Sequence, residues 1–157
     1  MQKIVVAYDG SDFSKNALKQ AIALAKPLQA SLLLLNIVEP LRLDLYPGML
    51  GESFVAHDGR SVQEIEDHLI TRLKEESAES LQEAEKLCEE SGLSFSSEIR
   101  VGSARWGIME FLDEQSPDLL VVGSRGLGAI KRLLLGTVSD YLIHHAPCSV
   151  LVVRSDD

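Results

Sequence analysis

Residues 123–139, GSRGLGAIKRLLLGTVS, carry Arg125, Lys131 and Arg132 and no acid, in a chain with 24 Asp and Glu against 15 Lys and Arg. They also hold four of the chain's 11 glycines. Such residues suit an anion held largely by main chain. Glycine lets a ligand reach the backbone with no Cβ in the way, and Gly123 and Gly126 can adopt positive φ. Gly136-Thr137-Val138-Ser139 reads as a helix start, whose first amides are unpaired donors at the positive end of the helix dipole. The hydroxyls of Thr137 and Ser139 add to them, and together these parts make a phosphate cradle.

A cradle needs a fold that presents it. The chain alternates apolar, strand-like runs with amphipathic stretches, which is the pattern of a parallel α/β sheet. Residues 3–9 form a continuous apolar run, as expected of a strand covered on both faces. Ser11 is placed to cap the next helix, whose stripe is Ala17, Leu18, Ala21, Ile22, Leu24 and Ala25. Residues 30–38 make the second strand. Residues 41–60 lose all periodicity and contain Pro47, Gly48, Gly51 and Gly59; they read as a variable insertion more than as a cover over a site.

A long helix over 61–90 follows, with Ile65, Leu69, Leu73, Leu81, Ala84 and Leu87 as apolar positions and Gly92 as its stop. Residues 93–102 read as an outer strand. Ser103 is expected to cap a helix bearing Ile108, Met109, Phe111 and Leu112. LLVVGS is a central strand, 138–145 a helix, and Ser149–Val153 the last strand. The expectation is one domain over 1–157: an open, doubly wound five-stranded parallel sheet with helices on both faces.

Composition narrows the function. With 45% hydrophobic and 25% charged residues the sequence suits a soluble globular protein. No apolar run approaches the roughly 20 residues needed to cross a membrane. The N-terminus lacks the flanks of a signal peptide, so a cytoplasmic location is expected. The net charge of −9 argues against a nucleic-acid partner. Residues 61–98 hold 11 acids and three bases, the pattern of a solvated helix face. Cys88 and Cys148 lack the spacing of a metal site or a disulfide framework and read as free thiols.

Spacing identifies the loop. A Walker loop fails because Ala129-Ile130 stand where Lys and a hydroxyl residue belong; the dinucleotide fingerprint fails because Lys131 replaces its third glycine. The spacing that fits is G-x2-G-x9-G-[ST], over Gly123, Gly126, Gly136 and Thr137. With VVAYDGSDFS near the start, VGSARWGIMEF and HAPCSVLVV, it resembles the ATP-binding branch of the universal stress protein family over nearly the whole chain. The resemblance implies strand order 3-2-1-4-5, with strands one and four adjacent at the switch point where ligands bind.

It also implies site roles. Ala7 would offer main chain near adenine, Asp9 would lie near the nucleoside, and Val38 would pack on adenine. Gly123 would lie beside the ribose. Gly126, Gly136, Thr137, Val138 and Ser139 would hold phosphates by amides and hydroxyls. In DGS, Asp9 has an alternative role, bonding turn amides. Arg125 and Lys131 would supply positive potential; Arg132 fits a solvated helix equally well. Leu133, Leu134 and Leu135 read as packing the loop against the core.

The remaining chemistry-bearing residues offer less. His144 and His145 are adjacent, so on a helix they diverge by about 100° and do not share a metal; they read as caps compatible with the dipole. Trp106 is expected to pack. No serine has a credible His–Asp partnership, so no catalytic residue is assigned. The cofactor expected is ATP, with magnesium as an optional companion drawing its ligands from phosphates and water. By resemblance, Ser149–Val153 pairs with its symmetry mate in a homodimer, which would account for an apolar edge. Three functions stand in order: a nucleotide-regulated stress module, a slow ATPase or nucleotide hydrolase, and a dimeric scaffold without nucleotide.

Overall fold

The computed structural model describes residues 2–40, 61–126 and 135–154. Residues 41–60, Lys131, Arg132, Leu133 and Leu134, on which expectations were placed, lie outside the described residues. The elements are β1 (Lys3–Ala7), α1 (Asp12–Leu28), β2 (Ser31–Val38), α2 (Val62–Ser91), β3 (Phe95–Val101), α3 (Ala104–Gln115), β4 (Leu119–Gly123), α4 (Thr137–His145) and β5 (Ser149–Val153). All four strand pairings are parallel, in the order β3-β2-β1-β4-β5. Ile4 therefore stands beside Leu32 on one side and Leu119 on the other.

Two cores explain why the strands are apolar without interruption. On one face Ile4, Val6, Leu32, Leu34 and Val121 pack with Ala17, Leu18 and Ala21 of α1 and Leu81, Ala84 and Cys88 of α2. On the other, Val5, Leu35, Leu120 and Val122 pack with Ile108, Phe111 and Leu112 of α3 and Leu142 of α4. Each central strand thus sends alternate residues into different apolar layers, as a sheet covered on both faces requires. The doubly wound α/β fold is the observed one.

Local signals fix several element ends. The Ser11 hydroxyl accepts from Ser14 N at 3.2 Å and starts α1. Ser61 and Glu64 form a reciprocal capping box at the start of α2. Gly92 ends α2 at φ 73°, where its amide donates to Glu89 O at 3.0 Å. Ser103 departs from expectation: it stands at the N-cap of α3, but its side chain caps nothing. The Ala104 amide instead donates to Glu39 Oε1, at 2.7 Å, across from the end of β2. Within the apolar stripes, Leu24 and Leu87 are exposed, whereas Cys88 is fully buried. Burial pushes the Cys88 thiol up to about 11.

Asp118 joins the start of β4 to the N-terminus. Its carboxylate accepts from Gln2 N at 2.7 Å and Lys3 N at 3.0 Å, and these bonds hold its pKa below the usual value. A depressed folded pKa stabilises the fold above the unfolded value, about 3.9 for Asp, and the contribution disappears as pH falls through the folded value. Asp118→Asn should therefore be less stable than wild type at neutral pH, and the gap should close in strong acid. Urea midpoints at a series of pH values test this; a gap that widened on acidification would contradict it.

Candidate functional site

A cavity of about 490 Å³ opens beyond the carboxyl ends of β1, β2 and β4. It lies where the chain winds from β1 towards β2 on one side and β4 lies on the other, the position that this topology leaves open for a ligand. Its size is within the ordinary range for small-molecule sites. Ala7, Asp9, Val38, Gly123, Gly126, Gly136, Thr137, Val138 and Ser139, the residues picked out by spacing and resemblance, all line it. Tyr8, Asn36, Glu39, Ser77 and Arg125 line it as well.

The base of the glycine loop is closed by three hydrogen bonds. Ser124 N donates to Val153 O at 2.7 Å, Gly136 N donates to Ser124 O at 2.7 Å, and Ser139 Oγ donates to Gly123 O at 2.7 Å. Ser124 is 1% exposed, and these bonds bring the end of β4 to the start of α4. The Ser139 hydroxyl proton is thus already given to main chain. In α4, Asp140 is the first residue whose amide reaches an N-cap carbonyl, that of Gly136 at 2.9 Å. The amides of Thr137, Val138 and Ser139 precede it and have no acceptor within the helix.

The two loop glycines serve by space and not by unusual backbone. Neither Gly123 nor Gly126 uses the positive φ open to glycine; among described glycines that property belongs to Gly10, Gly92 and Gly102. A Cβ on Gly123 would lie 2.8 Å from the Phe13 carbonyl carbon, because the first turn of α1 crosses there. A Cβ on Gly126 would lie 2.6 Å from Asp9 Oδ2. Asp9 itself accepts from Ser11 N at 3.0 Å through Oδ1, the turn-bonding role of an aspartate two residues before its donor. Its other oxygen points towards Gly126.

Charge is distributed unevenly round the cavity. Arg125 lies with its guanidinium 4.6 Å from the centroid of the Phe13 ring, a cation–π contact at the wall. Three helices begin at the cavity, α1, α3 and α4, and Asp9 already bonds the N-cap amide of α1. Glu39 already caps α3 through Ala104, so the positive end of α3 carries a carboxylate. Among the described residues no side chain caps α4, whose N-cap is Gly136, although Asp140 lies in its first turn. An anion is therefore favoured at α4 and repelled from α3.

Other residues fall away from this site. Trp106 was expected to pack but is 67% exposed, touching Tyr141 edge-on at 5.8 Å between ring centroids. His145 stacks on Tyr141 at 4.1 Å. The Nδ1 atoms of His144 and His145 each lie 2.8 Å from the carbonyl four residues earlier. Among the described residues no group of three His, Cys, Asp or Glu side chains is placed to hold a metal. Glu39 and Asn36 were missed in the sequence. The signal for Asn36 was a single polar residue inside an otherwise apolar strand.

Fold and cavity together define a doubly wound α/β protein with a cavity at its switch point. The universal stress protein family model matches residues 1–154, and the chain belongs to that family. It is similar to the universal stress protein Sll1388 of Synechocystis, with 36% identity over 155 residues covering 97% of each chain. Its fold matches universal stress protein UspA of Lactobacillus plantarum with a TM-score of 0.80 at 22% identity, over 98% of this chain and 97% of that one. It also matches a universal stress protein solved in complex with cAMP, with a TM-score of 0.67 at 27% identity, over 99% of this chain and 98% of that one.

Proposed function

We propose that this chain is a single-domain, ATP-binding universal stress protein that uses the nucleotide as a regulatory ligand. The observation that carries the reading is the meeting of Gly126, Gly136 and the α4 amides with Asp9 in one cavity at the switch point. The phosphates sit at the α4 N-terminus, held by main-chain amides and the Thr137 hydroxyl, with Ser139 contributing its amide. Gly123 borders the ribose. Ala7 and Val38 border the base, and Asp9 accepts from the nucleoside. The cAMP complex of a relative supports an adenine nucleotide as the ligand class.

Magnesium fits this site as a companion of the phosphates, with water completing its shell. The metal would neutralise phosphate charge next to Asp9. The protein groups in the cavity bind and orient; none of those described is placed as a general base, so slow hydrolysis at most is expected. The β5 strand, an edge of the sheet with Val150, Leu151, Val152 and Val153 only half-buried, is proposed as the homodimer contact. The cytoplasm is the proposed location.

Calorimetric titration of nucleotide-free protein with ATP and magnesium tests the function. Saturable binding is expected, together with a rise in thermal midpoint by mass action. Radiolabelled ATP should remain largely uncleaved over many hours in the same samples. An absence of binding heat and of any thermal shift would end the nucleotide reading.

A further inference from the structure

We propose that Asn36 reads the base of the bound nucleotide, its side-chain oxygen accepting a hydrogen bond from the exocyclic amine of adenine. This rests on the nucleotide reading above and adds which residue chooses the base. Asn36 interrupts the apolar β2 run, SLLLLNIV, and is only 3% exposed. Its Nδ2 donates to Tyr8 O at 2.8 Å. That bond fixes the orientation of the amide, since the reverse would set two acceptors against each other. Among the described residues the Oδ1 atom is left as a buried acceptor with no hydrogen-bond partner.

Buried polar atoms are seldom left unpaired, and each one in a native structure calls for a donor. The Asn36 side chain belongs to a residue that lines the cavity, so the donor can come from a ligand.

Position selects the base end of the nucleotide. The phosphate cradle lies beyond β4, and Asn36 is on β2, with β1 between them. Two strand spacings separate them laterally, about 10 Å, which is the scale of a nucleotide from its phosphate to the edge of its base. The anionic end is drawn to α4, and Glu39, which follows β2 and caps α3, repels it from the β2 side. What reaches Asn36 is therefore the base. An exocyclic amine supplies the missing donor. An oxo group at the same place brings an acceptor to face an acceptor.

The probes are ATP and ITP: on the same purine frame position 6 changes from an amine to an oxo group and N1 from an acceptor to an N–H donor, so the Asn36→Leu comparison is what assigns any discrimination to residue 36. Wild-type protein should bind ITP at least about tenfold more weakly, because a site built to hydrogen-bond a group rejects the analogue that lacks it. Asn36→Leu should bring the two affinities to within about twofold. That variant also strips Tyr8 O of its donor and can lose its fold, so a measurement on wild type accompanies it. Asn16 and Asn36 are the chain's two asparagines, which makes the Asn36 Cγ signal simple to assign by NMR. It should move on adding ATP and hold its position with ITP. Equal wild-type affinities, discrimination that survives in folded Asn36→Leu, or a Cγ signal that ATP leaves unmoved would each overturn the role of Asn36 while leaving the nucleotide site standing. Failure to bind either nucleotide would remove both.

Discussion

Gly126→Val is expected to weaken ATP binding by about tenfold to a hundredfold while the protein stays folded. The new Cβ would lie 2.6 Å from Asp9 Oδ2, the far end of a side chain that can swing aside. The glycine also has no left-handed φ, so a β-branched residue meets no backbone strain. The fold therefore gives way cheaply: loss of the Asp9–Ser11 bond carries a net cost of about 1 kcal/mol. Binding does not escape so easily. The displaced carboxylate and the added methyl groups enter the space where the nucleoside meets its phosphates, and overpacking there costs about 1–3 kcal/mol. Calorimetry of the variant, paired with its urea midpoint, separates the two effects. Gly92→Ala is the contrasting case, since Gly92 caps α2 at φ 73° with open space where a Cβ would go. It should lower stability and leave ATP affinity as it was. Unchanged affinity in Gly126→Val would place the phosphates elsewhere.

How much the sequence disclosed depended on whether the cause of a feature was local. The β1 run was legible because a strand covered on both faces has no polar alternation to hide it. Ser11 was legible because an N-cap speaks to an amide three residues on, at 3.2 Å here. Ser103 offered the same local signal and was overruled by Glu39, which reaches Ala104 from another strand end. Nothing near residue 103 announces that carboxylate. Trp106 is different, because its exposure was already in the pattern. Ile108, Phe111 and Leu112 mark the buried side of α3, and a helix turning about 100° per residue sets Trp106 opposite them. The candidate site was legible as a set of loop and strand-end residues. How its glycines act was not, since the atoms they accommodate belong to Phe13 and Asp9, far away in sequence.

Gly123 carries the second large effect, and it falls on the fold. In Gly123→Ala the added Cβ would stand 2.8 Å from the Phe13 carbonyl carbon, 2.8 Å from Phe13 Cβ and 3.0 Å from Phe13 O. Two of these atoms are main chain in the first turn of α1, so relief requires the helix itself to move off β4. An overpacked contact of this kind costs about 1–3 kcal/mol, which for a chain of this size lowers Tm by roughly 2–12 °C. Moving α1 also disturbs the Asp9–Ser11 turn that leads into it, so ATP affinity should fall together with stability. Phe13→Ala supplies the decisive comparison. It deletes the ring on which Arg125 rests but retains all three crowded atoms, so the double variant should be no more stable than Gly123→Ala alone. Recovery of wild-type stability in the double variant would mean that the ring, and not the helix backbone, is what residue 123 must avoid.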